Sequence, residues 1–175
     1  LDHLDQAIVT DSLDTKALNL RAAVLRRLGR TADAKKQAEA NLAIDPLDFW
    51  AGNELFLTDA AGSDAQSAKR AYDVLAERMR DQVESYLELA SNYTASGMFD
   101  DAIDVLSRRA AGEKLETYPM LYYDLGYCTA RQGDAAHAAE YYHTANAMPT
   151  AYCFPYRLES VRVLQDAVAT CQGDA

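Results

Sequence analysis

Apolar side chains recur along this chain with the spacing of amphipathic α-helices. In the stretch SYLELASNYTAS (85–96), four apolar residues fall at positions i, i+3, i+4 and i+7, which lie on one helix face: Tyr86, Leu89, Ala90 and Tyr93. Gly97 follows, where a left-handed backbone ends a helix at little cost. Asp100 and Asp101 come next, and carboxylates favour the positive N-terminal end of a second helix. Strand-like runs of Val, Ile and Thr are missing, so an all-α chain of short helices is predicted.

The same two-helix pattern repeats along the chain with a period of 34 residues. Gly29 and Gly97 are 68 residues apart, and Ser63 stands halfway between them. Small residues follow these positions at the same interval: Ala34, Ala68 and Ala102. A fourth member, Gly133, arrives after 36 residues, which lengthens the connection near 112–118. Such a period is typical of helix pairs stacked in series, in which the alanines let two antiparallel helices approach closely.

These features resemble the tetratricopeptide repeat (TPR) family over most of the chain. The best match is carried by eight residues of the stretch 122–149: Tyr122, Leu125, Gly126, Gly133, Ala138, Tyr142, Ala145 and Pro149. The unit at 48–81 departs from the family pattern, since Phe56 replaces a small residue and Asp59 replaces a tyrosine. The resemblance implies an all-α fold, a right-handed α-α superhelix built as a TPR-like solenoid of antiparallel helix pairs.

The repeat divides the chain into segments, and the prediction is a single TPR-like array over residues 1–175. Its parts are the tail of a truncated repeat (1–14), four repeats (15–47, 48–81, 82–115 and 116–150) and a C-terminal helix (151–175). Neither end has a polar capping helix, so a fragment of a longer protein is expected. Pro155 is expected at the first position of the last helix, where its missing N–H is tolerated.

The string CFPYRLE (153–159) also resembles a segment from the TPR regions of large bacterial proteins. Those proteins carry an added domain of unknown function ahead of the repeats. This second resemblance rests on few residues and implies no activity.

Composition and charge narrow the class of partner. The chain carries 17 basic against 27 acidic residues, a net charge of −10, which argues against a nucleic-acid partner because phosphate binding needs a concentrated positive face. No run of about 18 apolar residues occurs, so neither a membrane-spanning helix nor a membrane partner is expected. Cys128, Cys153 and Cys171 are odd in number and lack a CxxC pair, which favours reduced thiols in the bacterial cytoplasm.

Motifs that carry chemistry are missing from the sequence. His137, Glu140 and His143 form H-x-x-E-x-x-H, which spreads the three side chains over about 120° of a helix and is too wide for one metal ion. The glycines are isolated and form no phosphate-binding loop, and no G-x-S-x-G elbow occurs. We therefore predict no catalysis, no cofactor and no metal site.

The TPR resemblance implies a concave surface lined by the first helix of each repeat, which in that family holds a peptide or a partner's helix. The family's geometry gives seven candidate partner-binding residues: Asn19, Trp50, Asn53, Glu88, Tyr123, Tyr127 and Arg131. Seven further residues would face the same groove: Lys16, Ala23, Arg26, Leu57, Glu84, Ser91 and Met120. Asn can bond a peptide backbone as donor and acceptor. Tyr123 and Tyr127 either form an exposed aromatic platform or cover the connection at 112–118.

The function that follows from this resemblance is a protein–protein interaction scaffold that binds a peptide or partner protein in the concave groove. Homo-oligomers through exposed ends of the solenoid are a further expectation. One alternative is an interaction or oligomerisation segment of a multidomain carbohydrate-related bacterial enzyme, whose catalytic part lies outside this chain. A third reading is direct sugar binding by an aromatic groove.

Overall fold

The fold was analysed in a computed structural model that describes residues 1–62, 65–112 and 118–172. These residues form ten α-helices and no β-strand. In chain order they are α1 (Asp2–Thr10), α2 (Thr15–Arg27), α3 (Thr31–Ile44), α4 (Phe49–Ala61), α5 (Ala65–Met79), α6 (Val83–Ala95), α7 (Phe99–Ala110), α8 (Pro119–Arg131), α9 (Ala135–Asn146) and α10 (Leu158–Gln172). Among the residues described, no helix combines the length and the apolar character needed to span a lipid bilayer.

The chain forms two compact units, Leu1–Asp81 (unit 1) and Gln82–Ala175 (unit 2). In unit 1, α2 packs on α3 and α4 packs on α5, with α1 against α2. In unit 2, α6 packs on α7 and α8 packs on α9, with α10 against both α8 and α9. The predicted all-α fold of TPR-like helix pairs is thereby confirmed. Each pair lies inside one of the predicted repeats, and the division into repeats stays a prediction.

Glycines with left-handed backbones end the first helix of three pairs. Gly29, Gly97 and Gly133 have φ angles of 74°, 72° and 91°, a region that residues with a Cβ rarely adopt. After Gly97, the Met98 N–H donates to the carbonyl of Tyr93 at 2.9 Å, which satisfies a carbonyl of the last turn of α6. The role predicted for Gly97 is confirmed. Ser63, the corresponding position of the second pair, lies outside the described residues.

The core of each unit follows the predicted periodicity. In unit 2, the predicted apolar face of α6 is buried, with Leu89 and Tyr93 at 1% and 0% exposure. Ala34, Ala102 and Ala138 are each the fourth residue of the second helix of their pairs and are fully buried, as close helix approach requires. The divergent repeat keeps its packing by other contacts, because Phe56 meets the ring of Tyr72 at 5.4 Å between centroids.

The prediction for Pro155 is wrong, because α10 begins three residues later, at Leu158. Residues 153–156 have no regular secondary structure, and Tyr152 before them has a left-handed φ of 62°. A proline disfavours helical backbone at the residue before it, so Phe154 cannot easily join a helix. Arg157 is also held elsewhere, beside carboxylates of α6 and α8, and the helix starts only after it.

Candidate functional site

The first helices of the two pairs in unit 2, α6 and α8, together form one side of a narrow cleft. The opposite side is formed by residues 154–157 and by Glu159 and Ser160 at the start of α10. Residues 153–157 are here called the 153–157 segment. Six side chains dominate the lining: Glu84, Leu87 and Ser91 from α6, Met120 and Asp124 from α8, and Arg157. The space that remains is about 30 Å³, enough for about one water molecule. The segment therefore fills most of the surface that α6 and α8 present there.

Carboxylates surround the single arginine of this cleft. The Nη2 atom of Arg157 lies 4.0 Å from Oε2 of Glu88, whose side chain is 61% exposed. The buried Nε of Arg157 has no hydrogen-bond partner within the described part of the chain. The Nη2 atom also makes a long contact of 3.4 Å with the hydroxyl of Tyr156, and the guanidinium carbon lies 5.5 Å from the centre of the Tyr156 ring. Arg157 is thus close to negative charge without a good ion pair.

Asp124 is an unusual carboxyl group at the floor of the cleft. Burial raises its pKa to about 7, the charge of Glu84 acts in the same direction, and the charge of Arg157 partly opposes both. No hydrogen bond to its carboxyl occurs among the described residues. Near neutral pH, Asp124 is therefore present in both its protonated and its ionised form, and no donor among the described residues stabilises the ionised form.

Tyr118, the residue before α8, also lines the cleft and contacts one of its carboxylates. Its pKa is raised by burial and then by a hydrogen bond to the carboxylate of Glu84. The phenol stays protonated and donates to Glu84, which holds that carboxylate in place. Within residues 1–62, 65–112 and 118–172, no three His, Cys, Asp or Glu side chains are grouped closely enough to hold a metal ion.

Four positions predicted to face a groove meet at this cleft. Glu84, Ser91 and Met120 line it, and Glu88 lies beside it through its contact with Arg157. Sequence reasoning missed Asp124, although it lies four residues after Met120 and so on the same face of α8.

Tyr123, Tyr127 and Arg131 lie on another side of α8. The ring of Tyr123 is 6.3 Å from that of Tyr142 on α9, and it packs beside Cys171 of α10. Arg131 stacks on Tyr127 at 4.7 Å and reaches Asp166 of α10 at 3.2 Å. Tyr123 is thus half-buried against α9 and the adjoining core, and Tyr127 is half-buried beneath Arg131. Neither arrangement was among the two sequence-based alternatives. Most of the connection at 112–118 lies outside the described residues.

The candidate residues of unit 1 are buried. Asn19 is 3% exposed; it donates to Asp48 at 2.5 Å and accepts from Asn41 at 2.7 Å. Trp50 and Asn53 are 6% and 0% exposed. The amide of Asn19 is occupied within unit 1, where it joins α2, α3 and the start of α4. Partner binding by these three residues stays a prediction, and it would require unit 1 to open.

Among known proteins, similarity to this chain was found in solved structures. No protein-family model and no curated protein matches the sequence. The chain is similar to MamA (41–end) from Desulfovibrio magneticus RS-1, with 16% identity, a TM-score of 0.45, and 83% of this chain and 81% of that chain covered.

Two further solved structures are similar at the same level. YrrB, described as a TPR protein with an unusual peptide-binding site, has 15% identity, a TM-score of 0.45, and coverage of 95% of this chain and 91% of that one. The APC/C hetero-tetramer Cut9–Hcn1 has 16% identity, a TM-score of 0.45, and coverage of 82% of this chain and 27% of that one. The TPR-type fold of this chain follows from its own antiparallel helix pairs, α2–α3, α4–α5, α6–α7 and α8–α9.

Proposed function

We propose that this chain is a protein-interaction scaffold and that the cleft of unit 2 is its partner-binding surface. The observation that carries the proposal is the convergence of Glu84, Glu88 and Asp124, from two helices, on one surface. Three carboxylates brought together in this way repel one another. Glu84 accepts a hydrogen bond from Tyr118, whereas Asp124 has no donor among the described residues. A partner that brings hydrogen-bond donors or positive charge to this surface would reduce the repulsion and supply hydrogen bonds that the unbound surface does not make.

The hydrogen bonding of Asp124 supports the same proposal. Burial without a hydrogen-bond donor from the described residues makes the ionised form of Asp124 unfavourable. Groups with strongly perturbed pKa values that lie in clefts are found at functional sites more often than elsewhere. A donor from a partner would satisfy Asp124 and favour its ionised form.

The buried thiol of Cys128 does not suggest covalent catalysis. Burial raises the pKa of Cys128 to about 11, and its sulfur lies 3.3 Å from the hydroxyl of Thr94 on α6. Such a thiol stays protonated near neutral pH and is a poor nucleophile.

The test is site-specific photocrosslinking in cells of the source organism. A photoreactive amino acid at Ser91, inside the cleft, should crosslink to a partner polypeptide. The same amino acid at Asp104, which is exposed on α7, is the matched control and should give no such product. Glu88→Lys in the Ser91 derivative should abolish the product. Identical products from both positions, or none from Ser91, would remove the cleft as the binding surface.

A further inference from the structure

We propose that the cleft of unit 2 takes an extended peptide that presents an arginine side chain, and that the 153–157 segment occupies this site when the partner is absent. The inference rests on the proposed function of the cleft and adds the chemical class of the partner and its competition with the chain itself.

The backbone of the segment has no regular secondary structure. Helix α9 ends at Asn146 and α10 begins at Leu158, and residues 153–156 between them are neither helix nor strand. Pro155 removes a backbone donor and disfavours helix at the preceding residue. Phe154, Pro155, Tyr156 and Arg157 all line the cleft opposite α6 and α8. The surface of α6 and α8 thus already accommodates a non-helical tetrapeptide of this chain.

The carboxylates of the cleft favour a positively charged side chain on the peptide. Glu84, Asp124 and Glu159 line it, Glu88 lies beside it, and Arg157 is the single cation among the lining residues. A guanidinium group has five donors in a rigid fork and pairs with two carboxylates at once, whereas an ammonium group acts as a compact point charge. Carboxylates from two different helices therefore favour arginine over lysine.

The fit of the chain's own segment is poor. The Arg157–Glu88 contact of 4.0 Å is at the limit of an ion pair, and the Arg157 Nε has no partner among the described residues. Phe154 and Tyr156 are 71% and 70% exposed, so the two aromatic rings bury little apolar area. Since hydrophobic stabilisation scales with buried apolar area, little holds these rings in place.

Covalent attachment explains why a poorly fitting segment still occupies the cleft. A tethered segment acts at an effective concentration of about millimolar, so even a weak intrinsic affinity keeps the site filled. A free peptide that pairs fully with the carboxylates would displace it. Weakening the segment should therefore raise the apparent affinity for such a peptide.

The experiment measures fluorescence anisotropy of a labelled synthetic peptide with the sequence of residues 151–159, titrated with protein up to about millimolar concentration because this sequence binds weakly when it is not tethered. Arg157→Ala in the protein should bind this peptide at least tenfold more tightly than the wild type, because the competing arginine is gone. Arg162→Ala, which removes an exposed arginine of α10, is the matched control and should bind like the wild type. Adding Glu84→Gln and Glu88→Gln to Arg157→Ala should abolish binding.

The peptide itself supplies the second half of the test. A peptide with alanine in place of its arginine should not bind Arg157→Ala, and a lysine peptide should bind more weakly than the arginine peptide. Equal affinity of wild type and Arg157→Ala, or equal binding of the arginine and alanine peptides, would overturn the proposal. If Arg157→Ala does not fold, Phe154→Gly with Pro155→Gly loosens the segment and keeps every carboxylate.

The outcomes separate this inference from the proposed function. If crosslinking from Ser91 captures a partner but no arginine peptide binds, the cleft is a binding surface and the class of peptide assigned here is wrong. If both experiments fail, the cleft is not the binding surface.

Discussion

Gly126 on α8 faces the ring of Tyr142 on α9 so closely that a Cβ at residue 126 would lie 2.4 Å from Cε1 of the tyrosine. Tyr142 is fully buried and its ring cannot move aside without disturbing the core around Ala138 and Ala167. A glycine inside a helix has an unfavourable intrinsic propensity, so packing alone accounts for this one. The contact fixes the distance between α8 and α9.

Gly126→Ala should lower the free energy of unfolding by about 1–3 kcal/mol, because overpacking outweighs the better helix propensity of alanine. Urea unfolding followed by far-UV circular dichroism measures the change. Gly52→Ala on α4 is the control, since its Cβ would meet the flexible end of Leu75 at 3.2 Å. That variant should stay within about 1 kcal/mol of the wild type. A Gly126→Ala protein as stable as the wild type would contradict the close contact.

An ion pair joins the first helices of the two pairs in unit 1. Arg26 on α2 contacts the carboxylate of Glu54 on α4 at 2.8 and 3.2 Å, and Glu54 is fully buried. Glu54→Ala should lower the free energy of unfolding by about 3–5 kcal/mol, since it removes one partner of a largely buried ion pair. Arg26→Met combined with Glu54→Leu should recover most of that loss. Fluorescence of Trp50, the chain's single tryptophan, reports unfolding of unit 1. No recovery in the double variant would contradict this account.

The hydroxyl of Tyr142 donates to Asp166 of α10 at 2.7 Å, which ties α10 to α9. Tyr142→Phe should cost about 1–2 kcal/mol, because a hydrogen bond to a charged group is lost without a change of volume. Amide hydrogen exchange in α10 should become faster. Tyr141→Phe is the control, since Tyr141 contacts the ring of Tyr122 at 6.5 Å and has no hydroxyl hydrogen bond in the described chain. Equal protection of the α10 amides from hydrogen exchange in the wild type and Tyr142→Phe would contradict a stabilising hydrogen bond between α9 and α10.

The raised pKa of Asp124 makes stability depend on pH. Its folded-state pKa of about 7 lies above the ordinary 3.8, so the folded state holds the proton more tightly. Stability contributed by the protonated form is therefore present at low pH and is lost as pH rises from about 4 to about 7. The titratable and charged groups around it are Glu84, Glu88, Tyr118, Cys153, Arg157 and Glu159.

Asp124→Asn should remove this part of the pH dependence. The variant should be more stable than the wild type by about 1–2 kcal/mol at pH above 7 and equal to it near pH 4. Solvent screening of the half-buried carboxyl keeps this gain smaller than the pKa shift alone would give. Urea midpoints across that range measure the effect. Asp104→Asn, on an exposed side chain of α7, is the control and should leave the slope unchanged. An unchanged slope in Asp124→Asn would show that the carboxyl titrates normally.

Local features of the fold were predictable because each depends on neighbouring residues. The face of α6 follows from helical spacing, and Gly97 follows from the need for a left-handed residue at the end of that helix. The repeat adds distant information, since the same local solution recurs at Gly29 and Gly133. Local rules therefore sufficed for the helix pairs.

Polar partners across helices were not predictable from spacing. Asn19 carries an amide suited to binding a peptide, yet it bonds Asp48 and Asn41, which are 29 and 22 residues away. A periodic pattern predicts which face of a helix a residue occupies. It does not predict whether a polar side chain of a neighbouring helix already forms a hydrogen bond with that residue. The same holds for Arg157, whose carboxylate neighbours come from α6 and α8.

The most direct test of partner binding at the cleft is an NMR titration of isotope-labelled Arg157→Ala with the arginine peptide. The account predicts amide chemical-shift changes in α6 and α8 around Glu84, Glu88, Ser91 and Asp124, together with changes in the 153–157 segment. It predicts no changes in α7 around Asp104. Changes confined to α7 and α9, or to unit 1, would contradict it.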